Sequence, residues 1–275
     1  MAHLSWMLTV ESAVFRIGLQ FAIVILPLLL TPREIGLYNA AAKPFQILVL
    51  ANECIIQFFL PYLAAVRFGE RAILETRLQQ FHKLAFFFTA TILVLAAVFA
   101  PTLSRLLFGA SGRAVSPLMA ALGCGYLLYY SPPYSGVFKS IGKSRLSLVC
   151  ATAQLAIVLV ALPLLVPAFG VWGVIGGVCL AYAVYWLLEV WLYRESNLRP
   201  VEGVDRYLAF LAFNIATGYV METSIGGVPA IMLFLGTAGL ASLVLYWTRE
   251  ERSLAFRLVF SVNPTVPYLH GRPCP

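Results

Sequence analysis

The chain has 275 residues, of which 61% are hydrophobic and 11% charged, with a formal net charge of +7 and a mean hydropathy of +0.86. That balance excludes a water-soluble domain and places the chain among integral membrane proteins. The excess cations fall in short loops between apolar runs, so membrane topology accounts for them better than a nucleic-acid surface, and no nucleic-acid partner is expected.

A helix needs about 20 mostly apolar residues to cross the hydrocarbon. The apolar runs recur at that length without the period-2 alternation of a barrel strand. The expected fold is an all-α polytopic membrane protein with about eight transmembrane helices. The first runs from about Leu8 to Leu30 and carries Glu11, Arg16 and Gln20; Thr31-Pro32-Arg33-Glu34-Ile35 reads as a tight turn. The second, about Gly36 to Val66, is too long for a straight crossing and holds Pro44 and Pro61, where it should tilt and kink. Arg67 to Lys83 reads as an amphipathic connector on the membrane surface. The third span is about Leu84 to Leu107, followed by a turn around Gly109 to Arg113. The fourth, about Val115 to Phe138, is interrupted by Ser131-Pro132-Pro133. The fifth and sixth run from about Leu146 to Val166 and Val171 to Tyr193, joined by the uncharged turn Val166 to Gly170.

These six spans make an expected lobe over residues 1–193. A polar linker at 194–206 separates it from a terminal helix pair within 207–247, at about Tyr207 to Met221 and Val228 to Trp247. A tail occupies 248–275.

The loop Lys139-Ser140-Ile141-Gly142-Lys143-Ser144-Arg145 holds three cations and no acid, and Lys and Arg favour the cytoplasmic side. The loops after spans two, four and six and the tail also carry Arg67, Arg71, Arg77, Lys83, Arg194, Arg199, Arg206, Arg249, Arg252, Arg257 and Arg272. The opposite loops carry only Arg33, Arg105 and Arg113. Both termini are expected in the cytoplasm. The N-terminus lacks the basic region and cleavage site of a secretory signal, so insertion is expected to rely on the spans themselves.

Little in the sequence points to catalysis. The loops opposite the basic ones are too short to hold a catalytic surface, His3, His82 and His270 are far apart, and no nucleophile motif or phosphate loop stands out. No enzyme activity, metal or cofactor is expected. Of the five cysteines, Cys54, Cys124, Cys150 and Cys179 lie in predicted spans and read as small buried apolar residues; Cys274 lies in the tail. Gly173 and Gly177 form a GxxxG expected to bring helices close together.

The residues that could act are the ionisable groups inside the bilayer: Glu11, Arg16, Lys43, Glu53 and Glu189. A charge at a helix centre costs about 2.5 to 3.5 kcal/mol on insertion scales, so such groups usually face protein or water. Arg16 is the deepest cation and the leading candidate. Glu53 sits mid-span and could pair with Lys43 or Arg16. Glu11, Lys43 and Glu189 lie near helix ends, from which they could instead snorkel to the interface. Tyr126, Tyr129, Tyr130 and Tyr134 surround the Pro132-Pro133 break, as either a sugar- or lipid-contacting wall or an interfacial aromatic belt.

Several motifs in order resemble a known family. Ile35-Gly36-Leu37-Tyr38-Asn39-Ala40-Ala41, Phe59-Leu60-Pro61, Leu106-Leu107-Phe108-Gly109, Pro117-Leu118, Gly136 to Arg145 and Pro167 to Val174 are similar to the second half of Wzx-type polysaccharide and O-antigen flippases. That family belongs to the MATE-like multidrug/oligosaccharidyl-lipid/polysaccharide exporter superfamily, and the likeness covers roughly residues 10 to 195. It implies movement of a lipid-linked oligosaccharide, on a polyprenyl pyrophosphate carrier, across the cytoplasmic membrane. In such proteins two lobes rock around a cationic cavity, and Arg16 and Lys43 would meet the pyrophosphate there. The implied candidates for lining the cavity are Arg16, Lys43, Glu53, Tyr126, Tyr130 and Tyr134. A single lobe cannot enclose a cavity, so the chain is expected to be a fragment or to work with a missing first lobe or a second copy. Membrane lipid is the other expected partner. The alternatives are a MATE-type cation-coupled exporter, which buried carboxylates facing one cavity would favour, and a non-transporting scaffold for polysaccharide-synthesising enzymes.

Overall fold

The computed structural model describes residues 24–46, 93–130, 138–139, 142–195 and 204–241, with isolated helical positions at 6, 9–10, 13–14, 17, 79, 83, 86–87 and 89–91; the side chains of 128–130, 204–206 and 240–241 lie outside the description. Among the described residues there is no strand. The elements are α1 (Ala100–Phe108), a 3-10 turn (Gly109–Ser111), α2 (Gly112–Tyr130), α3 (Ser144–Phe169), α4 (Val171–Glu195), α5 (Val204–Ser224) and α6 (Gly227–Ala241). Residues 24–29, 32–46 and 93–98 are helical as well.

Three stretches are apolar and long enough to cross a membrane: Ala100–Leu127, Ser144–Phe169 and Val171–Glu195. The first passes through a reversal. Gly109 has φ +59°, and a Cβ on Gly112 would collide with the Ser104 carbonyl, so α2 doubles back along α1. With 19 residues, α2 spans about 28 Å at the helical rise of about 1.5 Å per residue, close to the hydrocarbon thickness by itself.

Local chemistry sets two boundaries differently from the expectation. The tight turn expected at Thr31 to Ile35 is a helix start: the Thr31 N–H and hydroxyl donate to Glu34 Oε2 at 3.0 and 2.7 Å, and the Glu34 N–H donates back to Thr31 Oγ1 at 3.4 Å. This is a capping box, with Pro32 at the first helical position, where its missing N–H costs nothing. The second helix therefore begins at Pro32, four residues before Gly36. At the other boundary, the expected turn at Val166 to Gly170 shrinks to Gly170 alone, and Pro167 stays inside α3. Pro163 and Pro167 are four apart, so the donor lost at Pro167 is the one that would have bonded the Pro163 carbonyl. The turns at Gly109 and Gly170 otherwise fall where expected. Near Phe99 the ladder continues from 93–98 into α1 through Phe99 N–H to Leu95 O at 3.0 Å and Leu103 N–H to Phe99 O at 2.8 Å.

α3 and α4 form a close antiparallel hairpin. Gly173 backs onto the Leu165 carbonyl, and a Cβ on Gly177 would meet Leu162 at 3.0 Å. Both GxxxG glycines thus face the partner helix, as expected, because only hydrogen at these positions lets the backbones approach. The hairpin packs on α2 and the 32–46 helix around Phe45, Met119, Leu122, Leu162, Val174 and Ala181. Glu34 reaches the bend of the hairpin: its Oε1 lies 2.8 Å from where a Gly170 Cβ would sit.

The terminal pair is docked against the third span. α5 runs parallel to that span, meeting it at Phe86–Tyr207, Phe87–Phe210 and, at the far end, Thr102–Glu222. Phe99 packs on Phe234 of α6 at a ring separation of 5.3 Å. The Thr102 hydroxyl donates to Glu222 Oε1 at 2.7 Å and accepts from the Gly227 N–H at 3.3 Å, tying the α5–α6 turn to α1.

Cys150 is buried and Cys179 half-buried, but Cys124 is exposed, against the expectation. It sits between Gly123, which faces Ala97 and Phe45, and Gly125, which faces Cys179, so its own direction is outward. Cys54 lies outside the described residues.

Candidate functional site

Two surfaces of the 32–46 helix have opposite chemistry. Tyr38, Ala41, Ala42 and Phe45 are buried at a 3-4 spacing, the pattern of one helix face. Phe45 stacks on Tyr126 of α2 with ring centroids 5.0 Å apart and planes at 10°. Tyr126 in turn meets Tyr182 of α4, ring to ring at 5.0 Å and through a hydrogen bond. This aromatic stack fixes the rotation of the helix about its axis.

The opposite side holds Gly36, Asn39, Lys43 and Gln46, within about 80° of one another at 100° per residue. Gly36, Lys43 and Gln46 are exposed, Asn39 is half-buried, and no acid shares the stripe. Lys43 is eleven residues past Pro32, about 16 Å along the axis. Such a stripe presents three ammonium donors and two amides, each amide both donating and accepting, a set suited to phosphate oxygens and hydroxyl groups.

The other expected site residues are placed as follows. Tyr126 is 6% exposed, so it supports the stripe from behind and forms no accessible wall. Tyr129 and Tyr130 end α2, with side chains outside the description. Arg16, Glu53, Tyr134, Glu11 and the Pro132-Pro133 break lie outside the described residues. The structure thus relates Lys43 and Tyr126 through Phe45 and tests no further pairing among them.

Glu189 does not snorkel. It is 1% exposed on α4, and Ser144, Ser147 and Gln154 of α3 are buried polar residues as well. Gln154 Oε1 is a buried acceptor with no hydrogen-bond partner among the described residues. Among the described residues no group of three or more His, Cys, Asp or Glu side chains could hold a metal ion.

The sequence reading missed Asn39, Gln46 and Gln154. The signal for the first two was their spacing with Lys43, which becomes visible once the helix start is set by the Thr31–Glu34 box. At the rim, the hydrogen bonds from the Thr31 side chain and backbone hold the Glu34 carboxyl below the usual carboxylate range.

Comparison of the chain with protein-family models, curated proteins and solved structures gives no match.

Proposed function

We propose that this chain is the second-half lobe of a transporter that moves a polyprenyl-pyrophosphate-linked oligosaccharide across the cytoplasmic membrane. The observation that carries the reading is the polar stripe of Gly36, Asn39, Lys43 and Gln46 on the side of the 32–46 helix opposite its buried face. Hydrocarbon solvates neither an ammonium group nor an unpaired amide, so the stripe must face water, a charged ligand or another protein surface. A cation held where the dielectric is low attracts a pyrophosphate far more strongly than one in bulk water. Arg16 is the second cation assigned to this cavity, and a first lobe or a second copy closes it.

In this reading the eight spans expected from the sequence all cross the inner membrane. The basic loops and both termini lie in the cytoplasm, leaving Thr31, Gly109, Gly170 and the α5–α6 turn on the far side. Arg33, Arg105 and Arg113 belong to that far side, and Lys83, Lys139, Lys143, Arg145 and Arg194 to the near one, which supports the orientation.

The test is complementation of polysaccharide export in a strain lacking the gene. Lys43→Met and Arg16→Ala are each expected to reduce surface polysaccharide at least about tenfold, as loss of a charge-assisted contact would, whereas Lys43→Arg retains most of it. Full export by both neutral variants at normal protein levels would leave the scaffold reading in its place.

A further inference from the structure

We propose that the α1–α2 reversal binds an anionic phospholipid of the membrane, with Arg105 and Arg113 on its phosphate and Leu106 and Leu107 among acyl chains. Neither the bound lipid nor its test depends on what the protein transports. Gly112 brings the two cations together: a Cβ on it would sit 2.8 Å from the Arg105 amide nitrogen, so standard backbone dimensions put the Cα atoms of Arg105 and Arg113 within about 10 Å of each other. Both residues are exposed, and neither makes an ion pair among the described residues. A guanidinium presents its donors as a planar fork that matches phosphate oxygens.

The leucines set the level of the reversal. Leu106 and Leu107 are 65% and 56% exposed, and helical side chains tilt toward the N-terminal end of their helix. The N-terminal end of α1 continues from the 93–98 helix, so both leucines lean back toward the hydrocarbon. α2 starts at the reversal, so Arg113 leans the other way. Such a tip lies in the interface, with its apolar side chains below and its cations at the level of the headgroups. The acids on this side do not neutralise it. The reversals assigned to the far side, around Thr31, Gly109, Gly170 and the α5–α6 turn, are all described, and their acids are Glu34 and Glu222. Glu34 is held by Thr31, and Glu222 accepts from Thr102 with one oxygen and buries the other. Lys and Arg are sparse on the side opposite the cytoplasm; two arginines at one bend, with no acid to pair with, call for an anion that the membrane itself supplies.

The test places the purified full chain in phosphatidylcholine vesicles with a trace of phosphatidylglycerol that carries a photoreactive diazirine beside its glycerol, and maps the crosslinked peptides. Crosslinks are expected within residues 105–117, displaced by unlabelled phosphatidylglycerol but not by added phosphatidylcholine or by soluble glycerol phosphate. Arg105→Gln and Arg113→Gln are each expected to lower them about fivefold, and the double variant about thirtyfold, the worth of one and two cations near an anionic lipid. Crosslinks at the Lys139 and Lys143 loop should stay unchanged and report an intact fold. No crosslink in this segment, equal displacement by the two phospholipids, or an unchanged yield in the double variant overturns the proposal. Displacement by glycerol phosphate assigns the arginines to a soluble anion and overturns it too. The competition in the wild-type chain decides even where a variant fails to fold.

Discussion

The 32–46 helix turns Gly36, Asn39, Lys43 and Gln46 outward, whereas the exposed side of α3 shows Val149, Leu159, Val160 and Leu164. Where polar atoms do occur on the second surface they are self-satisfied: the Thr152 hydroxyl donates to the Leu148 and Val149 carbonyls, both at 2.9 Å. On α5, Thr223 does the same with Tyr219 at 2.8 Å. A threonine can return its proton to its own helix, so it survives against lipid. An amide can do so in part, as Asn214 Nδ2 does with the Phe210 carbonyl at 2.7 Å, but a lysine ammonium, charged and with three donors, exceeds what its own backbone offers. Exposure alone therefore does not distinguish the faces; the difference lies in whether the outward polar groups can be satisfied by the helix that carries them.

The sharpest way to break this comparison is to move the charge. Val160→Lys puts an ammonium group on the apolar face of α3 and is expected to cost about 3 kcal/mol of insertion free energy, near the helix-centre value. Gln46→Lys, on the polar stripe, should cost well under half of that. Glycosylation-site insertion assays on the full chain read both, and equal penalties would mean that the two surfaces meet the same solvent.

A smaller effect comes from loosening the support behind the stripe. Phe45→Ala removes the stack on Tyr126 and leaves a cavity in the core, with an expected loss of about 2 kcal/mol. Its specific signature is rotational: a cysteine placed at Gln46 should lose its uniform labelling by a water-soluble maleimide. Labelling unchanged from that in an otherwise wild-type chain would show that the stack does not set the direction of the stripe.

The smallest effect concerns the helix start. Glu34 titrates below the ordinary carboxylate range because Thr31 hydrogen-bonds its ionised form. Its folded-state value is depressed, so its stabilising contribution is present above the unfolded-state value and fades as pH falls through the folded one. Wild type and Glu34→Gln should differ slightly in thermal unfolding at about pH 7, and the difference should shrink as pH falls below the usual carboxylate range. A difference that grows on acidification would contradict the capping assignment.

Much of the bundle follows from short-range rules, and what escapes those rules is tertiary. The turns at Gly109 and Gly170 and the approach of Gly173 and Gly177 to α3 follow from residues that tolerate positive φ or lack a side chain. Thr31-x-x-Glu34 was equally local, but its reading as a turn hid the true start of the helix that bears Lys43. The inward direction of Glu189, the outward direction of Cys124 and the docking of α5 and α6 on Phe99 depend on which neighbour covers which face. No periodicity in an all-apolar helix announces that choice, because lipid and protein surfaces demand the same residues there. For the same reason the polar stripe is the more informative surface: its residues fit only one of the two.

The closeness of Glu34 to the Gly170 bend constrains both. Any side chain at Gly170 would have to displace the Glu34 carboxylate, so a substitution in the α3–α4 bend would also loosen the capping box that starts the Lys43-bearing helix.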